Sequence, residues 1–289
     1  MEKRNFYYSK LLICSGLILK IIAIITMTID HIGEGFAGIY LNNSTYDILK
    51  TIGRIAMPLF CFGIAEGVKY THNFKRYIFK LGLVAGVISL TILLLTYIPF
   101  FETIGLSYLK EAGNIFLDLS LGAIGVYFLI KKKNYYKLFA ILPLIFGILC
   151  WLGSVKYNWM PYFIRTQYNF YAIALIMGFA ISDYLSRLIM SNFAIKAGFD
   201  KDFYLNTKQL RTFTNVISVM TLVVITLLNY VFEYQYGNPW LIQCYAVLAG
   251  LFILLYNGKK GYNNKWVSYS CYIYYPLHLI IIGVLVAVL

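Results

Sequence analysis

The chain has 289 residues, of which 60% are hydrophobic, 18% aromatic and only 13% charged, with a mean hydropathy of +0.70. Soluble domains carry about 25% charged residues, so composition excludes one and points to an all-α polytopic membrane bundle. The formal net charge of +13 would suit a nucleic-acid binder, but the placement of the cations explains it otherwise.

In chain order, apolar periodicity and polar breakers predict nine membrane-spanning helices, at about 17–40, 47–70, 75–101, 115–130, 135–155, 168–188, 212–232, 240–256 and 267–289. Residues 11–19 read either as an interfacial helix or as an extension of the first span. The first apolar run continues to about Tyr40 without an Ala-x-Ala-like cleavage site, which makes it an uncleaved anchor rather than a signal peptide. No loop is long enough for a soluble domain, so one membrane domain over 1–289 is expected.

With the N-terminus in the cytoplasm, most cations fall on one side: Lys3, Arg4 and Lys10; Lys69, Lys75, Arg76 and Lys80; Lys131, Lys132, Lys133 and Lys137; Arg187, Lys196, Lys201, Lys208 and Arg211; Lys259, Lys260 and Lys265. Lys110, Lys156 and Arg165 lie opposite, and Lys20, Lys50 and Arg54 fall within spans. This is the positive-inside pattern. It predicts an N-in, C-out multi-pass protein of the bacterial cytoplasmic membrane and leaves no basic excess for nucleic acid.

The first span places Asp30, His31 and Glu34 together inside apolar sequence. A charge at the bilayer centre costs at least ~2.5–3.5 kcal/mol, so ionisable residues there mark functional sites by default. An imidazole beside a carboxylate is the usual general-base arrangement, the acid orienting the ring and stabilising the imidazolium. A purely structural knot with Arg54 is the plainer alternative. Lys20 precedes His31 by eleven positions, roughly 16 Å at helical rise, enough to hold an anionic head at the membrane face while chemistry proceeds inside.

The second span carries Lys50 and, one turn on, Arg54. Pro58 has no N–H for the Arg54 carbonyl, so a kink is expected there. Arg54 either neutralises Asp30 or also stabilises a developing oxyanion. Glu66, near the cytoplasmic end, is assigned to the basic loop. Asn114 and Asp118 open the fourth span near the outer face, where a carboxylate is cheap and could meet a substrate. Asp183 reads as a solvated end residue, and His72 as a solvated loop side chain. His278, two positions after Pro276 in the last span, is a second candidate for the central site. The five cysteines are scattered singly, with no zinc-like spacing, so no metal is expected.

The blocks Leu19-Lys-Ile-Ile-Ala-Ile-Ile-Thr-Met-Thr-Ile-Asp-His-Ile-Gly33, Ile52-Gly-Arg-Ile-Ala-Met-Pro-Leu-Phe60, Ala65-Glu-Gly-Val-Lys-Tyr-Thr-His-Asn73, Asn114-Ile-Phe-Leu-Asp-Leu-Ser-Leu-Gly122 and Tyr274-Tyr-Pro-Leu-His-Leu279 resemble, in order, the TraX family. That family's named activity is N-terminal acetylation of conjugative pilin. Lys20-x10-His31 is similar to the Arg/Lys-x10-His signature of the larger acyltransferase-3 group, and Arg76-x3-Lys80 is a weaker echo of that group's basic pair. The family usually has Thr where this chain has Asp118.

The resemblance implies an integral membrane acetyltransferase that uses acetyl-CoA. His31, Asp30, Arg54 and His278 would be its catalytic candidates, Lys20, Arg76 and Lys80 its donor contacts, and Asp118, Glu34 and Asn114 its acceptor contacts. The acceptor would be an amine or hydroxyl, on a pilin-like peptide N-terminus or a surface glycan. The alternative from another class is a proton-coupled transporter relaying through Asp30, His31, Glu34, Arg54 and His278. A purely structural subunit would have no need of the buried charges.

Overall fold

The computed structural model describes residues 12–37, 40–98, 113–131, 133–205, 207–236, 241–262 and 264–288. Lys3, Arg4, Lys10, Lys110, Lys132 and the predicted end of the third span lie outside the described residues. The chain runs through α1 (Gly16–Phe36), α2 (Asn43–Gly53), α3 (Ala56–Tyr70), α4 (Phe74–Tyr97), α5 (Ile115–Leu129), α6 (Asn134–Leu138) and α7 (Ile141–Trp151). A π-helical turn over Leu152–Lys156 and a 3-10 turn over Tyr162–Ile164 precede α8 (Asn169–Lys196) and α9 (Lys208–Gln235). A 3-10 segment (Leu241–Leu248) leads into α10 (Ala249–Leu254), and α11 (Lys265–Val288) ends the chain.

Among the described residues six helical stretches are long and apolar enough to cross a membrane, and Ile115–Leu129, Leu241–Leu254 and Ser270–Val286 are shorter apolar helices. The chain is thus a multi-pass, all-helical membrane protein, since helices satisfy their own backbone groups in hydrocarbon. The caps follow the sequence. Ser15, Asn42, Asn73, Asn114 and Thr207 each accept a backbone N–H of the first turn through the side chain. Residues 12–15 are not helical.

The expected second span is two helices, broken at Arg54–Ile55. Pro58 sits in the first turn of α3, where its missing N–H deprives only the Arg54 carbonyl. The break thus lies one turn before the proline and falls on the Arg54 backbone.

Helix α8 is the hub, packed against α3, α5, α7 and α9, while α3 also packs on α1 and α5. Ala172, Ile173, Leu175 and Ile176 of α8 and Cys61 of α3 are fully buried. Without a hydrophobic drive between helices in lipid, close packing of small residues has to hold them. A Cβ on Gly147 of α7 would lie 2.7 Å from the Cα of Phe170, and one on Gly122 of α5 would lie 2.3 Å from Ile176 Cδ1.

Gly147 meets backbone that cannot swing aside, whereas nothing stands within 4 Å of a Cβ on Gly63. Gly147→Ala should therefore lower stability by about 1–3 kcal/mol, and Gly63→Ala should be neutral or slightly stabilising. Thermal unfolding of the two detergent-purified variants checks the contrast.

Candidate functional site

The site forms where α1, the α2–α3 break and α11 meet. Asp30 is only 7% exposed, Lys50 4% and Arg54 3%. Arg54 Nη2 donates to Asp30 Oδ1 at 2.6 Å, and Lys50 Nζ donates to Asp30 Oδ2 at 3.4 Å. Lys50 also pairs with Glu34, whose side chain is half exposed. Arg54 Nη1 donates to Gln243 Oε1 at 3.2 Å. Two carboxylates thus face two cations, and the cluster is formally neutral. A buried ion pair is worth little net, but removing one partner strands the other in low dielectric at a cost of about 3–5 kcal/mol. The Asp30 side chain lies so close to α2 that a Cβ on Gly53 would sit 2.2 Å from Asp30 Oδ1. Only glycine permits that approach.

His31 is oriented by α11 rather than by its neighbour Asp30. His278 Nδ1 lies 2.9 Å from the Tyr274 carbonyl oxygen, and His278 Nε2 lies 2.7 Å from His31 Nδ1. A carbonyl only accepts, so His278 carries its proton on Nδ1 and its bare Nε2 accepts from His31 Nδ1–H. This chain leaves the lone pair of neutral His31 on Nε2. The rings stack with centroids 4.9 Å apart, Tyr274 stacks on His278 at 5.1 Å, and Tyr275 sets its edge against both. Tyr274 is itself tied to α1 by a 2.8 Å hydroxyl contact with Thr28.

Between these groups lies an internal cavity of about 20 Å³, lined by Asp30, His31, Gly53, Gln167, Tyr168 and Tyr275 with apolar side chains between them. It has room for about one water.

The structure brings Asp30, His31, Arg54, His278 and Glu34 together and leaves the other candidates elsewhere. Asn114 is fully buried; its Nδ2 donates to the Ala85 carbonyl at 2.7 Å and to Ser89 Oγ at 2.9 Å, tying α5 to α4. Asp118 is fully buried rather than cheaply solvated, and its Oδ2 accepts from the Gln167 and Tyr168 N–H groups at 2.7 and 3.3 Å. It holds the cavity wall from behind. Lys20 and Arg76 are exposed. Arg76 and Lys80 stand on α4, which packs on α5, whereas Lys20 stands on α1, which packs on α2, α3 and α11.

Asp183 is not a free end residue. It pairs with Lys69 at 2.5 Å and Arg187 at 2.9 Å, beside a Glu66–Arg211 pair at 3.3 Å. Among the described residues no group of three or more His, Cys, Asp and Glu side chains is placed to hold a metal ion.

Lys50, Gln243, Gln167 and Tyr168 complete the site beyond the sequence-based candidates. Lys50 had a signal, an in-span cation one turn from Arg54. The other three sit at span edges, where polar residues are ordinary.

A helical membrane protein with a largely buried ionic and imidazole cluster is the class these observations define. The family model for TraX protein matches residues 15–286, so the chain belongs to the TraX family. A probable fimbrial assembly protein, FimC of serogroup H1, from Dichelobacter nodosus is 29% identical over 119 residues, 37% of this chain and 43% of that one. An uncharacterized protein of Rickettsia prowazekii (strain Madrid E) is 26% identical over 270 residues, covering 92% of this chain and 89% of its own. The chain thus spans less than half of the fimbrial relative and most of the rickettsial one. No solved structure matches the chain.

If the ion cluster is one unit, Arg54→Ala should lower stability by about 3–5 kcal/mol. Asp30→Asn added to Arg54→Ala should recover part of that loss, because the stranded carboxylate is gone. The unfolding midpoints of the two variants in one detergent test this double-mutant comparison.

Proposed function

We propose that the chain is an acetyltransferase of the bacterial cytoplasmic membrane, moving an acetyl group from cytoplasmic acetyl-CoA to an amine or hydroxyl acceptor. The observation that carries this reading is His31. Its Nδ1 is engaged by His278, its Nε2 is left as the basic nitrogen, and its ring lines a buried cavity beside a compensated carboxylate.

In the reaction, His31 Nε2 takes the proton of the acceptor N–H or O–H as that atom attacks the acetyl carbonyl carbon. The carbon–sulfur bond then breaks, and the CoA thiolate takes the proton back from the imidazolium. The His278–Tyr274 chain keeps Nδ1 protonated throughout. Arg54 and Lys50 fix Asp30, whose adjacent charge stabilises the imidazolium, and Gln167 and Tyr168 line the same cavity. The cavity holds about one water, so an acetyl thioester reaches His31 only when the helices around it part. Lys20 marks the cytoplasmic end of that path.

Threading with nine spans, the three shorter apolar helices counted with the six long ones and α1 starting in the cytoplasm, would put the C-terminus outside and the acceptor on the outer side. The named fimbrial assembly relative favours a peptide N-terminus as acceptor, with a surface glycan as the other candidate. A C-terminal periplasmic reporter should be active and a cytoplasmic one silent; the reverse result would overturn this threading.

Purified protein given acetyl-CoA and a surface-extract acceptor should release free CoA thiol. His31→Ala should reduce that release ~10²–10⁴-fold while the protein still accumulates in the membrane. His278→Ala should be a milder lesion that shifts the pH profile, because it frees the ring rather than deleting the base. Undiminished release by His31→Ala would rule out this mechanism.

A further inference from the structure

The loop before α11 is bound to the start of α1. Cys14 N donates to the Leu255 carbonyl and Asn257 N to the Cys14 carbonyl, both at 2.9 Å. Gly16 N donates to the Lys259 carbonyl at 2.8 Å and Leu17 N to the Lys260 carbonyl at 3.0 Å. The contact is tight on both sides. A Cβ on Gly261 would lie 2.5 Å from Ser15 Oγ, and one on Gly258 would lie 2.9 Å from Arg211 Nε, and both glycines have positive φ.

The backbones of Lys259 and Lys260 are therefore seated under the first turn of α1, while their side chains are exposed. Lys20 stands one turn further along α1, on the order of 6 Å up the axis, and is also exposed.

Three ammonium groups thus share one short stretch of surface at the end that leads to His31. Among the described residues none of the three has an ion pair, and the first turn of α1 carries no acidic residue. Like charges carried on adjoining backbone repel one another, the more so at low salt. Arg211, beside Gly258, is already engaged by Glu66. A multiply charged anion is the ligand whose binding this arrangement favours.

We propose that Lys20, Lys259 and Lys260 form a diphosphate-binding site at the cytoplasmic mouth. This rests on the acyl-CoA reading above and names the residues that would hold the donor's diphosphate. It separates that role from Arg76 and Lys80, whose helix packs chiefly on α5.

The test is equilibrium binding to the full chain in nanodiscs, with CoA and inorganic pyrophosphate as probes. Binding by the wild type is compared with Lys259→Gln/Lys260→Gln and with Arg76→Gln/Lys80→Gln. The loop is held by main-chain bonds, so the first pair leaves the fold intact, which retention on size exclusion and an unchanged unfolding midpoint verify.

In nanodiscs of phosphatidylcholine alone, the loop variant should bind both probes about tenfold more weakly, a loss of two exposed charge contacts. It should also show a shallower salt dependence, while the α4 variant should match the wild type. Equal binding by the loop variant, loss confined to the α4 variant, or no wild-type binding of either probe would each overturn the proposal. So would abolition of pyrophosphate binding by a modest fraction of phosphatidylglycerol, which would make the patch a lipid headgroup site. Binding that follows the lysines without any thiol release from acetyl-CoA would support this site and count against acetyl transfer.

Discussion

The carboxylate of Asp30, a residue only 7% exposed, is held between Arg54 and Lys50 of the neighbouring helical stretch. A lone charge in that position would cost several kcal/mol, so α1 and α2 have to meet at this depth and in this rotation. Gly53 allows the approach by having no side chain where Asp30 sits. The break at Arg54–Ile55 then gives the guanidinium its direction: it reaches Asp30 with one nitrogen and Gln243 with the other. The 3-10 segment that carries Gln243 is thereby drawn to the same centre.

The second constraint closes the bundle. His31 and His278 are separated by 247 positions, yet their rings are stacked and hydrogen-bonded. The last helix thus supplies the tautomer of a residue on the first. Neither imidazole alone would have a defined basic nitrogen, because either ring atom can carry the proton in a neutral histidine. The carbonyl of Tyr274 removes that freedom at one end of the chain, and the effect passes through His278 to His31. Asp30, adjacent to His31 in sequence, serves instead as the counter-charge.

The polar residues around this centre divide by what they touch. Asp118 and Asn114 bind backbone: Asp118 orders the Gln167–Tyr168 turn, and Asn114 ties α5 to α4. At the other end of the bundle Asp183, Lys69, Arg187, Glu66 and Arg211 pair among themselves. The exposed lysines near the start of α1 are different, since no carboxylate among the described residues pairs with them.

Helix class, the approximate positions of the apolar helices and the cluster of ionisable groups in the first helix were legible in the chain itself. Apolar runs of membrane length have to be helical, because hydrocarbon offers no other partner for the backbone. Ionisable residues inside such runs are too costly to be incidental. The Asp-His pair, Arg54 before Pro58 and the C-terminal Pro-x-His were visible for the same reason.

What the sequence could not determine was which groups meet. Adjacent residues on a helix point about 100° apart, so Asp30 and His31 face different neighbours: Asp30 pairs with α2, and His31 with α11. Asp118 looked cheap because it stands near a helix end, and only the packing of the 165–168 segment over it made it a buried acceptor. Lys259 and Lys260 looked like topology markers, and only the main-chain bonds to Gly16 and Leu17 put them beside Lys20. Hydropathy is a property of each segment alone. The partners of a buried charge are set by the rotation and depth of several helices together, and that is decided by tertiary packing.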